Sequence, residues 1–206
     1  MKRTSPILRL FFLCLCVVLF SGWSGSWDTL QEESEKLISV SARFTQLKDT
    51  RILARPLVST GRFYFKAPDS VRWEYEAPVQ SILLMNEGSV RRYTQGAKGL
   101  TEDASAALQS MNVMLREIVL WSRGRFNEST TFTAELKPGP ETVILLTPRD
   151  KGLEKVITSI EVELVPDKPG VISKVTIGEG AGGVTVLRFS DVVINAPLSD
   201  SVFRRP

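Results

Sequence analysis

Between residues 61 and 86 the chain alternates apolar and polar positions in two successive runs. Gly61, Phe63 and Phe65 share one parity, with Arg62, Tyr64 and Lys66 on the other. Val71, Trp73 and Tyr75 then alternate with Arg72, Glu74 and Glu76. A period of two belongs to a strand with one dry and one wet face. The link Ala67-Pro68-Asp69-Ser70 has turn chemistry at hairpin length. Ala77-Pro78 breaks the second run, and residues 82–85 resume as a third strand. The expected product is an antiparallel meander that gathers Phe63, Phe65, Val71, Trp73 and Tyr75 on one face. Taken alone, such a face is what any half-buried sheet presents.

The same reading extends to the rest of the chain. Asp28 is placed to cap a helix running to Ile38, with acidic residues in its first turns and a thin apolar stripe of Leu30, Leu37 and Ile38. Residues 40–48 then read as a strand with Ala42, Phe44 and Gln46 on one parity. Residues 89–94 read as a short strand and 95–99 as loop. From Glu102 the spacing changes to threes and fours: Leu108, Met111, Val113, Met114, Leu115, Ile118, Val119 and Trp121, up to a stop at Gly124. This predicts one long helix or two short ones. Its methionine-rich face suits a surface that repacks, although a helical stripe equally fits a plain core. Strands return at 131–136, 141–147, 158–165, 171–177 and 184–189, divided by Pro- and Gly-rich turns. Nine or ten strands with short turns and no βαβ crossover predict a mainly β, antiparallel fold with some helix.

Composition changes this picture at the N-terminus. Lys2, Arg3 and Arg9 precede or flank an unbroken apolar stretch at 10–20, followed by small residues. That is the layout of a secretory signal, and the stretch is short for a bilayer span. Residues 1–26 are therefore read as a signal cleaved near 24–26, and 27–206 as one domain. Leu13 and Leu15 precede Cys14 and Cys16, so neither cysteine sits in a lipidation context. Of 26 basic residues, three fall in the leader; the remaining 23 match the 23 acidic ones, all at Asp28 or later. A near-neutral chain has no electrostatic footprint for nucleic acid. Its stability rests on its core, because no cysteine remains for a disulfide.

The residue types also limit the chemistry. There is no histidine, which removes the usual general base and the commonest neutral metal ligand. Loss of both cysteines with the leader removes thiol nucleophiles and thiolate metal sites. No GxSxG elbow, P-loop or GxGxxG opening a helix is present, and the glycines at 178–183 fit a hairpin turn. Glu74 with Glu76, and Glu161 with Glu163, lie opposite the apolar parity, where a solvated outer face is expected rather than a catalytic pair. No catalytic residue, metal or cofactor is assigned.

The ordered set Phe44-Thr45-Gln46, Gly61-Arg62-Phe63-Tyr64-Phe65, Pro68, Arg72-Trp73-Glu74, Pro78 and the Glu87-Gly88 turn, with Asn195, Leu198 and Phe203 near the end, resembles the bacterial periplasmic lipoprotein carriers of the LolA type. The resemblance covers most of the chain beyond the leader. It implies an antiparallel sheet curled into an unclosed half-barrel, with an N-terminal helix and mid-chain helices as a lid over an apolar cavity. It further implies a monomeric periplasmic carrier of lipoprotein acyl chains or other lipids, supplied by an inner-membrane release transporter and emptied by an outer-membrane acceptor. An envelope lipid sensor acting through a protein partner is the alternative on the same fold. The lipid-binding candidates are Phe44, Phe63, Phe65, Val71, Trp73, Tyr75, Met111, Met114, Leu115 and Ile118. In the family an arginine tied to lid closure and release stands before the proline that follows the first of these runs. Ala67 holds that position here, leaving Arg72, on the outward parity, as the lid or release candidate. The family's longer C-terminal extension has no counterpart after Phe203 and Pro206.

Overall fold

Eleven strands form one antiparallel sheet because nearly every run between turns carries an apolar parity that must be buried. The structure, a computed structural model, describes residues 26–51, 53–103, 107–166 and 168–206. The leader with Cys14 and Cys16 lies outside the described residues, apart from Ser26. Helix α1 (Trp27–Glu35) is followed by β1 (Ser39–Asp49), β2 (Leu57–Lys66), β3 (Ser70–Ala77), β4 (Ser81–Asn86), β5 (Ser89–Gly96) and β6 (Gly99–Asp103). Helix α2 (Ala107–Ser122) crosses to β7 (Phe132–Lys137) and β8 (Val143–Pro148). A short helix α3 (Lys151–Glu154) then precedes β9 (Ile157–Val165), β10 (Lys168–Glu179) and β11 (Val184–Ile194). A 3-10 turn, Asp200–Phe203, ends the chain.

The strand order is β6-β5-β4-β3-β2-β1-β11-β10-β9-β8-β7. Two meanders are thus joined in the middle by β1 and β11, which come from opposite ends of the chain. β6 and β7 are the two edges and do not pair with each other, so the sheet stays unclosed. Its inner face buries Phe44, Phe65, Val71, Ile144, Leu146, Ile160, Val162 and Leu164 almost completely. Fully burying one such side chain is worth about 1.5–3 kcal/mol, so this face supplies most of the drive to fold.

Several local expectations are corrected. Ser26, not Asp28, caps α1: its Oγ accepts the Thr29 N–H at 3.1 Å, while Asp28 sits in the first turn against the positive helix end. The helix stops at Glu35, so Leu37 is buried beyond it and Ile38 is left 61% exposed. The loop expected at 95–99 is a tight turn into β6, an edge strand too short and polar to show a dry parity. The mid-chain apolar stripe is a single helix. It ends at Ser122, and the chain turns away at Gly124, where φ is 68° and an added Cβ would lie 2.7 Å from Ser34 Oγ and 2.8 Å from the Leu30 carbonyl oxygen. Gly61 meets a different demand: at the β2–β3 irregularity an added Cβ would lie 1.9 Å from the Glu74 carbonyl oxygen and 2.7 Å from the Phe44 ring.

The outer face is not uniformly wet. Ile82, Leu84 and Tyr93 are buried in a small second cluster there, with Leu100 against it. The tail runs across this side, and Phe203, 1% exposed, packs beside β3 and β4. Glu74 is correspondingly part-buried and paired with Arg72 at 2.9 Å, not solvated. Glu76 pairs with Arg62 at 2.8 Å, and Glu163 with Lys174. Glu161 is exposed as expected.

Candidate functional site

One row of side chains crosses the inner face of five strands. Antiparallel register aligns Ala42, Phe63, Trp73, Leu83 and Arg92 across β1 to β5, and Asp103 on β6 completes the row at the sheet edge. Because successive residues point to opposite faces, the parity of Trp73 fixes that of its neighbours in the row. Above this row lies a cavity of about 310 Å³. Pockets for small molecules span roughly 300–1,000 Å³, so this one is large enough for part of an elongated ligand.

The floor is aromatic. Phe44 and Trp73 stand 5.0 Å apart, Phe63 and Trp73 5.4 Å, and Phe63 and Phe189 6.0 Å, mostly in tilted or edge-to-face arrangements. Val175 and Ile177 on β10 and Leu187 on β11 extend the wall on the other side of β1. Helix α2 lies over β3 and β5 and turns Met111, Met114, Ile118 and Trp121 to the cavity. Its C-terminal half is tethered: Ser129 Oγ donates to the buried Glu117 at 3.0 Å and accepts the Thr131 and Phe132 N–H groups. Helix α1 packs on β10, and Leu37 just beyond it reaches the cavity wall.

The expected residues divide into two sets. Phe63, Trp73, Tyr75, Met111, Met114 and Ile118 border the cavity. Phe44, Phe65, Val71 and Leu115 share its side of the sheet but are packed into the core around it. Arg72 is elsewhere: it faces outward, donates from Nε to Glu74, and from Nη1 to the Val202 and Arg205 carbonyls at 3.2 and 2.7 Å. That placement makes it a clamp on the tail, and none of its hydrogen bonds reaches the lid helix. None of these bonds brings the Arg72 guanidinium to Ala67.

A few polar groups interrupt the apolar wall. Tyr75 Oη donates to Gln46 Oε1 at 2.8 Å. Burial pushes the Tyr75 phenol up, partly offset by the nearby Trp73 indole, which does not reach hydrogen-bond geometry with it, and by the Arg92 guanidinium. Arg92 borders the cavity, and its side-chain hydrogen bond among the described residues is a long one, Nη1 to Asp103 Oδ2 at 3.4 Å. The indole N–H groups of Trp73 and Trp121 are buried without a hydrogen-bond partner among the described residues. Sequence reasoning missed Arg92 because residues 89–94 carry apolar side chains on both parities: Val90 faces in with Arg92, while Tyr93 faces the outer cluster.

Comparison with known proteins agrees with this architecture. A sequence model described as "Outer membrane lipoprotein carrier protein LolA" matches residues 35–206. An outer-membrane lipoprotein carrier protein of Helicobacter hepaticus is 24% identical over 194 residues, 94% of this chain and 87% of the relative. Among solved structures, a DUF1329 family protein of Desulfovibrio piger superposes with a TM-score of 0.50 at 11% identity, covering 86% of this chain and 95% of that one. A LolA superfamily protein of Nitrosomonas europaea gives a TM-score of 0.43 at 10% identity, covering 87% and 98%. The first of these bears on the fold alone. With the match running from α1 to the end of the chain, this protein belongs to the LolA outer membrane lipoprotein carrier family.

Proposed function

We propose that the chain is a monomeric periplasmic carrier that holds acyl chains of lipoproteins, or of other lipids, in the inner-face cavity and moves them towards the outer membrane. Residues 1–26 would serve as the cleaved signal and 27–206 as the carrier domain. The observation that carries this reading is the cavity itself: apolar, aromatic-floored and covered by the methionine-bearing face of α2. Each CH₂ moved from water into it is worth about 0.8 kcal/mol. Ten methylenes would therefore offer about 8 kcal/mol before the cost of association is subtracted. That suffices for reversible capture without a covalent step. Methionines suit a lid that closes over chains of varied shape, since their side chains repack at little cost. The family and the Helicobacter relative's name support the same cargo class. An inner-membrane release transporter and an outer-membrane acceptor would be its partners.

Native mass spectrometry of protein purified from its own periplasm tests the reading. Bound acylated cargo, displaced by added fatty acid, is the expected result. Protein that carries no lipid, and takes up neither fatty acid nor acylated peptide, would overturn it.

A further inference from the structure

The cavity has a polar end that the acyl-chain reading does not use. In the row Phe63, Trp73, Leu83, Arg92 and Asp103, the first three are apolar or aromatic and the last two are charged. The charged end lies beside the free edge of the sheet, since β6 is the terminal strand. Arg92 and Asp103 keep 28% and 29% of their side-chain surface, whereas Phe63 towards the other end of the row is 8% exposed. Thus the row runs from a dry interior to a half-wet rim.

The formal charge at this cavity is one-sided, although Gln46, Ser81, Ser122 and Thr185 also place polar side chains on its wall. Among the described residues, no carboxylate borders it. Its charged group is a guanidinium, whose single contact with Asp103 is long at 3.4 Å and uses one of five N–H donors. The two buried indole N–H groups on its wall are also donors, and neither has a partner. Buried donors left unmet are costly, and a ligand that supplies acceptors relieves that cost. Arginine's planar fork matches carboxylate and phosphate oxygens and tolerates partial dehydration better than an ammonium does.

We propose that Arg92 marks the headgroup end of the cavity, receiving the acceptor oxygens of an acyl ligand, whether carboxylate, ester carbonyl or phosphate, while the chain lies along Leu83, Trp73 and Phe63. This rests on the acyl-cavity reading above and adds a direction to it: the headgroup lies towards the β5–β6 edge and the tail points into the interior. The pocket then discriminates against amphiphiles with cationic heads, because a second positive charge would sit against Arg92, and the nearest carboxylate, Asp103, is already paired with that guanidinium from outside the cavity wall.

The test compares three ligands that share one alkyl chain: laurate, monolauroylglycerol and dodecyltrimethylammonium. Titration calorimetry below their micellar concentrations gives affinities for the wild type, Arg92→Met and Arg92→Lys. The wild type should bind laurate about tenfold or more tightly than the ammonium ligand, the size of one good charge-assisted contact. Arg92→Met should remove most of that gap by weakening laurate, and Arg92→Lys should keep part of it. Monolauroylglycerol ranking with laurate would point to ester carbonyls; ranking with the ammonium ligand would point to an anionic head. Either ranking supports the proposal. Equal affinity for all three in the wild type, a ranking that needs no variant, would overturn the headgroup assignment and leave the acyl cavity standing. A gap unchanged in Arg92→Met would do the same. Absence of binding by all three would overturn both.

Discussion

Trp73 is the residue on which the cavity turns, because its ring contacts Phe44, Phe63 and Phe189 and borders the empty space above them. Trp73→Asp would set a carboxylate among apolar walls. An unpaired charge there is costly, so the site would take up water or the new carboxyl would bind a proton. Affinity for laurate should fall by more than about tenfold, given a desolvation cost of at least about 1–3 kcal/mol. The control must touch the other face without disturbing anything else. Glu74 is unsuitable despite its outward parity, because it holds Arg72 under the tail. Thr45 on β1 is exposed, flanked by the inward Phe44 and Gln46. Thr45→Asp should leave affinity unchanged, and circular dichroism should show both variants folded. Equal losses would mean that parity does not separate the faces. The inward set Phe63, Trp73 and Tyr75 was legible in sequence because polar neighbours frame each member. Arg92 was not, since its role depends on which side of β4 carries the outer cluster, a long-range fact.

At the level of elements, two attachments bear on how firmly helix α2 and the central strands are held. Ser129 Oγ serves three groups at once: the Glu117 carboxylate of α2 and the N–H groups of Thr131 and Phe132 entering β7. Glu117 Oε2 has no other partner among the described residues, so losing the serine would strand both carboxylate oxygens in a buried site. Ser129→Ala should lower the unfolding free energy by about 1–3 kcal/mol in urea titrations. It should also speed hydrogen exchange in α2 ahead of the sheet, because the helix loses an anchor while the strands keep their ladders. Uniform acceleration throughout would place Ser129 outside lid control. The second attachment joins β1, β10 and β11. Lys48 Nζ donates to Glu179 at 2.8 Å and holds its carboxyl below the ordinary 4.5; burial opposes this, and the Thr185 hydroxyl adds to it. A carboxyl depressed in the folded state stabilises above its unfolded value and loses that contribution as pH falls through the folded value. Glu179→Gln should therefore melt slightly lower than the wild type near neutral pH, by about 1 kcal/mol or less for so exposed a pair. In strong acid the two melting temperatures should converge. A gap that stays constant with pH would show that the pair contributes no linkage.

For the whole molecule, the sheet works on two sides, and only one was legible beforehand. The antiparallel order followed from short turns and alternating strands, and the single mid-chain helix from its three-four spacing. The edge strand β6 escaped because Thr101 and Glu102 give it no dry face, and the tail's role escaped because its partners lie over a hundred residues away. Lys66 donates to the Leu198 carbonyl and Asp200, Arg72 to the Val202 and Arg205 carbonyls, and Arg91 to the Arg204 carbonyl. These cations fasten a strap whose apolar plug, Phe203, is buried beside Leu84 on the face away from the cavity. Truncating a buried phenylalanine costs about 3–5 kcal/mol when the site cannot collapse. A terminal strap has another way out: it can peel away, so the loss is capped by the free energy of its own docking. Phe203→Ala should therefore destabilise the protein by about 3 kcal/mol or by that cap, whichever is smaller. Deleting residues 198–206 would measure the cap directly by the same urea titration. Laurate affinity should hold in both variants under conditions where the protein remains folded, because the strap contacts only outward side chains of β2 to β5 while the ligand meets inward ones. A loss of affinity that tracks the loss of stability would mean that the strap bends the sheet as well as covering it, and that the outer face sets the shape of the cavity.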